Sequence, residues 1–357
     1  MTQGGHAARR VGARLLLVGA LLVGGCSGDG GSAPIGGDGS PDVGKSEMSE
    51  AGEAMTFTNP VHYENFPDPG ALRVGETWYA YGTNGPSGNV PVLTSPDLVT
   101  WTPAADALPQ VGKWATPGNT WAPEVIAGPG GTYLLYYTAR STVTDRQCIG
   151  VAVAKEPGGP FVDDWDDPLM CQAAEGGSID ASPFTDENGD RYLYWKNDGN
   201  AIGQPTYLYG SRLSDDGQKM SGEPKQLLVN DAAWEAHVIE APQMVRHDGK
   251  LYLFYSANAF DREEYALGYA TCEGPLGPCT KAAENPILHT SPAAAGPGHG
   301  FLVTTPGGQS WLLYHAWPPE SIGSVTPGRQ LWLDHVDWVD GRPVVNGPTA
   351  DPQEAPR

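Results

Sequence analysis

The chain has 357 residues, of which 48 are Gly and 33 are Pro, and its formal net charge is −21. So acidic a protein repels phosphate, which excludes a nucleic-acid binder. The 11 Trp and 15 Tyr residues need burial, which excludes disorder throughout, and the many helix breakers exclude a fold of long helices. The composition favours short strands joined by tight turns.

In chain order, residues 1–25 are predicted to be a signal peptide of the lipoprotein type. Arginines precede an apolar run at 15–23, which is too short to span a bilayer. The run ends in Val23-Gly24-Gly25-Cys26, which resembles a bacterial lipobox, in which the cysteine is lipidated and becomes the new N-terminus. The alternative is ordinary signal cleavage beside an incidental cysteine.

Residues 26–54 are predicted to be a flexible tether. Positions 27–54 contain eight Gly, six acidic residues and no aromatic residue, so they cannot form a core of their own. Together with the leader, this segment predicts a protein that is anchored by lipid to the outer face of a bacterial cell membrane, or secreted. Contact with the membrane is expected only through the lipid.

An aromatic strand pattern then recurs five times. Its copies begin at Trp78, Tyr133, Tyr192, Tyr252 and Trp311, at intervals of 55, 59, 60 and 59 residues. A turn sequence precedes most copies and indicates antiparallel pairing with the strand before it. Five all-β units of this size predict a five-bladed β-propeller over residues 55–347, because no single blade could bury both its faces. Residues 348–357 are expected to be a C-terminal tail.

A second shared element precedes each aromatic strand and is predicted to be the first strand of each blade, lining the central channel. These elements are expected to bring polar or aromatic groups to the channel mouth, namely Asp68, Trp121 or Glu124, Asp180, Glu240 and His299. Carboxylates that lie close together repel each other, which raises the pKa of at least one of them. An acid and a base with a water molecule between them are the arrangement that inverting glycoside hydrolysis requires. Trp121 offers an apolar face for a sugar ring. The pattern therefore predicts an active site.

Four cysteines follow Cys26 along the chain. An even number of cysteines in an exported chain predicts disulfides, and proximity in sequence favours Cys148–Cys171 and Cys272–Cys279. Metal binding is the alternative, although no CxxC spacing supports it.

The motifs resemble glycoside hydrolase family 43, the five-bladed propeller arabinanases, arabinofuranosidases and xylosidases, over about residues 57–347. The resemblance implies that Asp68, in Pro-Asp-Pro, is the general base. It implies that Asp180, before Ser-Pro, tunes the pKa of the acid and orients it, and that Glu240, in Glu-Ala-Pro, is the general acid. Arg329 is implied to contact substrate. His299, in Gly-Pro-Gly-His, is implied to lie near a central bound ion such as Ca²⁺, and no organic cofactor is expected.

Each of these residues also has a structural alternative. Asp68 and Asp180 could cap turns, and Trp121 and His299 could belong to the core. For Glu124 the structural role is favoured, because its offset from the neighbouring proline differs from that of Glu240.

The predicted function is that of an inverting glycosidase that releases pentose from plant cell-wall polysaccharide. The run 147–152 resembles the exo-acting branch of the family and favours an (exo-1,5-)α-L-arabinofuranosidase; β-xylosidase and endo-arabinanase remain alternatives. A non-catalytic glycan-binding lipoprotein would have a damaged acid, base or modulator, and none is damaged. The expected partners are oligosaccharides from arabinan, arabinoxylan or xylan, and the protein is expected to be a monomer.

Overall fold

Five small antiparallel sheets follow one another along residues 55–357, the part of the chain that this computed structural model describes. They are arranged as a five-bladed β-propeller, which confirms the predicted fold. The predicted signal peptide, the lipidation site Cys26 and the tether lie outside the described residues, which begin at residue 55. Within 55–357 no helix is long and apolar enough to cross a membrane.

A two-residue strand, β1 (Thr56–Phe57), precedes the blades. In each blade, strands that are adjacent in sequence are also neighbours in the sheet. The first blade consists of β2 (Gly70–Val74), β3 (Thr77–Tyr81), β4 (Val92–Ser95) and β5 (Thr102–Pro103). The second consists of β6 (Ala115–Ala127), β7 (Tyr133–Ser141) and β8 (Gln147–Ala154). The third consists of β9 (Ser178–Thr185), β10 (Arg191–Asn197), β11 (Tyr207–Arg212) and β12 (Lys225–Val229).

The last two blades repeat the four-stranded arrangement. The fourth blade consists of β13 (Ile239–His247), β14 (Lys250–Ala257), β15 (Ala266–Cys272) and β16 (Cys279–Lys281). The fifth consists of β17 (Ala295–Thr304), β18 (Ser310–Trp317), β19 (Gln330–Val339) and β20 (Arg342–Val345), and β21 (Gln353–Glu354) follows it. Between strands lie single 3₁₀ turns at Pro129–Gly131, Ala173–Glu175, Gly199–Ile202, Ala233–Glu235 and Pro319–Ser321.

The repeated aromatic motif forms the second strand of each blade, and its side chains pack between neighbouring blades. Tyr136 of β7 and Trp195 of β10 belong to one cluster, and Tyr252 of β14 packs in another with Tyr314 of β18. All four side chains are almost completely buried. Burial of both sheet faces in this way requires the neighbouring blade, as the repeat predicted.

The C-terminal tail, residues 348–357, contains the short strand β21 at residues 353–354. β21 pairs antiparallel with β1, so that Phe57 lies opposite Gln353. The Gln353 side chain donates a hydrogen bond to Asp334 of β19 at 2.8 Å, and Asn59 donates another to the same carboxylate at 3.1 Å. The two ends of the propeller domain are therefore held together on the fifth blade, which satisfies their backbone groups and a buried carboxylate.

The cysteines of the described region form two disulfides, Cys148–Cys171 and Cys272–Cys279. These are the pairs that the sequence analysis named. We expect alkylation of the unfolded, non-reduced protein to leave all four cysteines unlabelled, as read by peptide mass spectrometry. Labelling of two or more of them would contradict the pairing, and the reduced protein is the control in which all four must react.

Candidate active site

One pocket at the channel mouth collects every residue that the sequence analysis proposed for chemistry or substrate contact. Its volume is about 380 Å³. The predicted residues that line it are Asp68, Trp121, Asp180, Glu240, His299 and Arg329. The remaining lining residues, which the sequence analysis did not single out, are Thr83, Ile179, Lys196, Asp198, Asn200, Ala201 and Phe260.

The backbone bends at the same place at the start of all five blades, and this bend aims side chains into the pocket. At each bend a residue other than glycine has a positive φ: Asp68 (56°), Ala122 (44°), Asp180 (57°), Ala241 (53°) and His299 (49°). In the second to fifth blades a β-bulge interrupts the pairing of the first two strands at this point. Such strained conformations persist only where the surrounding structure holds them, and they concentrate at functional sites.

Asp68 is held as an ionised acceptor. One carboxylate oxygen accepts a 2.5 Å hydrogen bond from Arg329 Nη1, and the other accepts one from Thr83 Oγ1 at 2.5 Å. Burial by itself would raise the pKa of Asp68, but the charge of Arg329, followed by the effect of His299, outweighs burial and holds that pKa well below its usual range. A carboxylate in this state can accept a proton from water.

Asp180 sits between the other two carboxylates and contacts the backbone beside Glu240. Its Oδ2 accepts a hydrogen bond from the backbone N–H of Ala241 at 2.9 Å. Burial raises the pKa of Asp180 to about 6; the charge of His299 opposes this shift, and the charge of Glu240 adds to it. Asp180 is thus placed to influence both the position and the proton affinity of its neighbour.

The Asp180→Asn variant is expected to move the alkaline limb of the pH–activity profile to lower pH. A negative charge nearby helps an acid to keep its proton, so its removal lets Glu240 ionise at lower pH. The loss of activity should be smaller than for variants of Asp68 or Glu240, because Asn keeps an oxygen for the Ala241 N–H. An unchanged alkaline limb in kcat/KM measured across pH would contradict the tuning role.

Glu240 accepts two hydrogen bonds from buried donors. Tyr265 Oη donates to Oε1 at 2.7 Å, and Lys196 Nζ donates to Oε2 at 3.1 Å. The Tyr265 ring stacks on His315 at a centroid distance of 5.6 Å and 4° between the planes, and a Cβ on Gly298 would overlap that ring. The Glu240 carboxyl group is therefore fixed by groups from three blades.

Glu124 lies outside the pocket lining. Its Oε2 accepts a 2.9 Å hydrogen bond from Ser182 Oγ, which links the second blade to the third. Burial raises the pKa of Glu124 well above its usual range, and the Ser182 hydrogen bond lowers it only in part. These contacts favour the structural role over the catalytic one.

His299 faces Asp68, with 3.4 Å between Nδ1 and Oδ1. Calcium takes about six to eight oxygen ligands, whereas His299 offers a nitrogen. Within residues 55–357 no three His, Cys, Asp or Glu side chains converge to hold a metal ion. The side chains by themselves do not fit a calcium ion, so the ion stays a prediction and no chemical step below depends on it.

Sequence reasoning missed Lys196, although one signal was present. The lysine directly follows the aromatic motif Tyr192-Leu-Tyr-Trp in a strand predicted to be buried, where a lysine needs a charged partner. Thr83, Asp198 and Tyr265 carried no comparable signal. They lie in connections between strands, whose course the strand pattern does not predict.

The family model described as glycosyl hydrolases family 43 matches residues 57–343 of this chain. A crystal structure of a thermostable family-43 glycoside hydrolase superimposes with a TM-score of 0.77 at 31% identity, covering 84% of this chain and 99% of that one. The fold and the sequence therefore point to the same family.

Two curated relatives are similar over most of the chain. The extracellular exo-α-(1→5)-L-arabinofuranosidase of Streptomyces avermitilis is 28% identical over 327 residues, covering 84% of this chain and 65% of that protein. The β-xylosidase of Bacillus subtilis is 28% identical over 320 residues, covering 82% of this chain and 57% of that protein. The chain thus spans less than two thirds of the length of either relative.

Proposed function

We propose, from the premise that this chain belongs to glycosyl hydrolase family 43, that it is an inverting glycosidase that releases α-L-arabinofuranosyl units from plant cell-wall polysaccharide. The observation that carries the proposal is the state of the carboxylates in the pocket. Asp68 is held ionised by Arg329, whereas Glu240 sits on a different blade beside Asp180. Two carboxyl groups in different environments are what an acid and a base require.

The proposed reaction is a single displacement. Asp68 takes a proton from water while the water oxygen bonds to the anomeric carbon of the sugar. The bond from that carbon to the glycosidic oxygen breaks, and Glu240 gives its proton to the departing oxygen. Water is added across the bond overall, and the anomeric configuration of the released sugar is inverted.

Two aromatic side chains give the pocket an apolar wall for the sugar. Trp121 and Phe260 both line it, and the Arg329 guanidinium lies 4.6 Å from the Phe260 ring centroid. This contact and the Asp68 hydrogen bond fix the guanidinium from two sides, so that its other N–H groups can reach sugar hydroxyls. Ring stacking with directed hydrogen bonds is how proteins hold sugars.

The preference for arabinose is supported by the Streptomyces relative, which is named an exo-α-(1→5)-L-arabinofuranosidase. A β-xylosidase is the second candidate, because the Bacillus relative of that name is equally identical to this chain. The two linkages present similar shapes to the acid and base. Arabinan, arabinoxylan and xylan fragments are therefore the proposed substrates.

We further propose that the enzyme is exported as a monomer and anchored through Cys26. The word extracellular in the name of the Streptomyces relative supports export. Metabolic labelling with a radioactive fatty acid should label the wild type and leave Cys26→Ser unlabelled.

Product analysis on linear arabinan, xylo-oligosaccharides and aryl pentosides, run side by side, tests the function. We expect arabinose as the first product of arabinan and aryl α-L-arabinofuranoside as the better aryl substrate. Proton NMR taken within the first turnovers should show the inverted anomer. Release of the retained anomer would contradict the mechanism, and release of xylose alone would favour the β-xylosidase.

A further inference from the structure

The N–H group at each of the five backbone bends is bonded by a side chain from the preceding blade. In four of the five junctions that side chain comes from the second strand of the preceding blade or from the residues just after it. The four bonds are Ala122 N to Thr83 Oγ1 (2.9 Å), Asp180 N to Thr138 Oγ1 (3.2 Å), His299 N to Ser256 Oγ (2.8 Å) and Asp68 N to His315 Nδ1 (3.2 Å). A side-chain acceptor at this position thus joins consecutive blades.

The junction between the third and fourth blades departs from this rule. Here the position on the second strand, β10, is occupied by Lys196, which has no acceptor atom. The N–H of Ala241 is bonded instead by Asp180, from the first strand of the third blade. Lys196 therefore does not make the hydrogen bond between blades that its counterparts make. Its Nζ donates to Glu240 instead.

The Lys196 side chain is only 1% exposed, and its ammonium group lies between two carboxylates. Nζ is 3.1 Å from Glu240 Oε2 and 3.8 Å from Asp198 Oδ1. Within residues 55–357 the Asp198 carboxylate accepts no hydrogen bond, so its contact with Lys196 is purely electrostatic. A lysine buried to this degree needs a charged partner, which Asp198 provides while Glu240 carries its proton and which both carboxylates provide once Glu240 is ionised.

We propose that Lys196 is a positioning residue that acts through Glu240. Its ammonium group holds the carboxyl group in one orientation and stabilises the carboxylate that remains once the proton has passed to the leaving group. The attraction between the ammonium and the carboxyl group is strongest in that ionised state, so it favours proton delivery. This inference rests on the proposed function, in which Glu240 is the general acid.

Other charged and titratable groups act on Glu240 as well. The groups that face it, or face its neighbour Asp180, come from all five blades: Lys196, Asp198, Asp180, Tyr265, His299, Asp68 and Glu124. Lys196 alone donates to Glu240 with a full positive charge, whereas Asp180 and Asp198 repel its carboxylate. Lys196 and Asp180 should therefore shift the pH profile in opposite directions.

The test is Lys196→Met, which keeps an unbranched stem and removes the charge. On aryl pentosides with leaving groups of graded basicity, we expect a loss of about 10- to 100-fold in kcat/KM for the poorest leaving group and little loss for the best. The alkaline limb of the pH profile should move to higher pH. Lys196→Arg should recover part of the loss. Equal losses on all leaving groups, or an unmoved limb, would overturn the proposal.

A matched control is Lys281→Met in the fourth blade. Lys281 also pairs with a buried glutamate, with 2.7 Å to Glu235, but it lies outside the pocket lining. Removing its charge should lower the melting temperature without a dependence on the leaving group. If Lys196→Met behaves like this control, Lys196 is merely structural and the proposal fails.

A readout that needs no turnover separates this inference from the proposed function. Carboxyl-labelled ¹³C-Glu reports the titration of Glu240, whose resonance is the one missing in Glu240→Gln. The midpoint in Lys196→Met should lie above that of the wild type, because the positive charge beside the carboxylate is gone. An unmoved midpoint overturns the role of Lys196 whatever the substrate is, whereas a moved midpoint in an enzyme inactive on every pentoside overturns only the proposed function.

Discussion

Asp68→Asn should lower kcat/KM by about 10²- to 10⁴-fold on natural oligosaccharides and on activated aryl pentosides alike. Water must be deprotonated whichever group departs, and an amide cannot take that proton. Asn is the suitable replacement because Asp68 has a φ of 56°, a conformation that Asn tolerates better than Ala. Rates on both substrate classes, measured at equal protein stability, check the prediction.

Asp68→Gly with added azide provides the positive control. Glycine accepts the positive φ and leaves space where the carboxylate stood. Azide needs no base, so it can attack the anomeric carbon directly, and the product should be a glycosyl azide of inverted configuration. The wild type should form none. A fully active Asp68→Asn enzyme would mean that the base lies elsewhere in the pocket.

Glu240→Gln should produce a loss that depends on the leaving group. A sugar hydroxyl departs poorly without a proton, so arabino-oligosaccharides should lose about 10²- to 10⁴-fold in rate. An aryl group of low basicity departs with little help and should keep most of its rate. Gln preserves the volume of the side chain and can still accept from Tyr265, so the pocket keeps its shape.

Glu124→Gln is the control for this variant. It removes a buried carboxyl group outside the pocket, so any effect on activity should be the same for every leaving group. A loss in Glu240→Gln that is equal for aryl and sugar leaving groups, in a folded protein, would show that the acid has been assigned wrongly.

The repeat and the short motifs could be read from the chain because they depend on local physics. Aromatic residues at Tyr192 and Tyr252 recur because each second strand must fill the same kind of space between two blades. Glu240 stands out because a charge in a strand predicted to be buried is costly without a function. These features require no knowledge of which blade touches which.

The environment of each carboxylate could not be read in this way. Thr83 reaches Asp68 from a connection that carries no motif, and Lys196 reaches Glu240 across 44 residues of sequence. The first contact lies within one blade and the second joins two consecutive blades, and both form where backbone bends re-aim the first strands. The pairing of β21 in the C-terminal tail could not be read from the sequence either, since its partner β1 lies at the other end of the domain.

The sequence by itself therefore determined the five-bladed architecture, the family and the residues proposed for acid, base and modulator. The tertiary structure alone decided that Asp68 is ionised, that Asp180 bonds the backbone beside Glu240, and that Lys196 supplies a buried positive charge. The physical reason is the distance along the chain over which each property is determined. Strand patterns arise from neighbouring residues, whereas the ionisation of a buried group depends on every charge that the closed ring brings within a few ångströms of it.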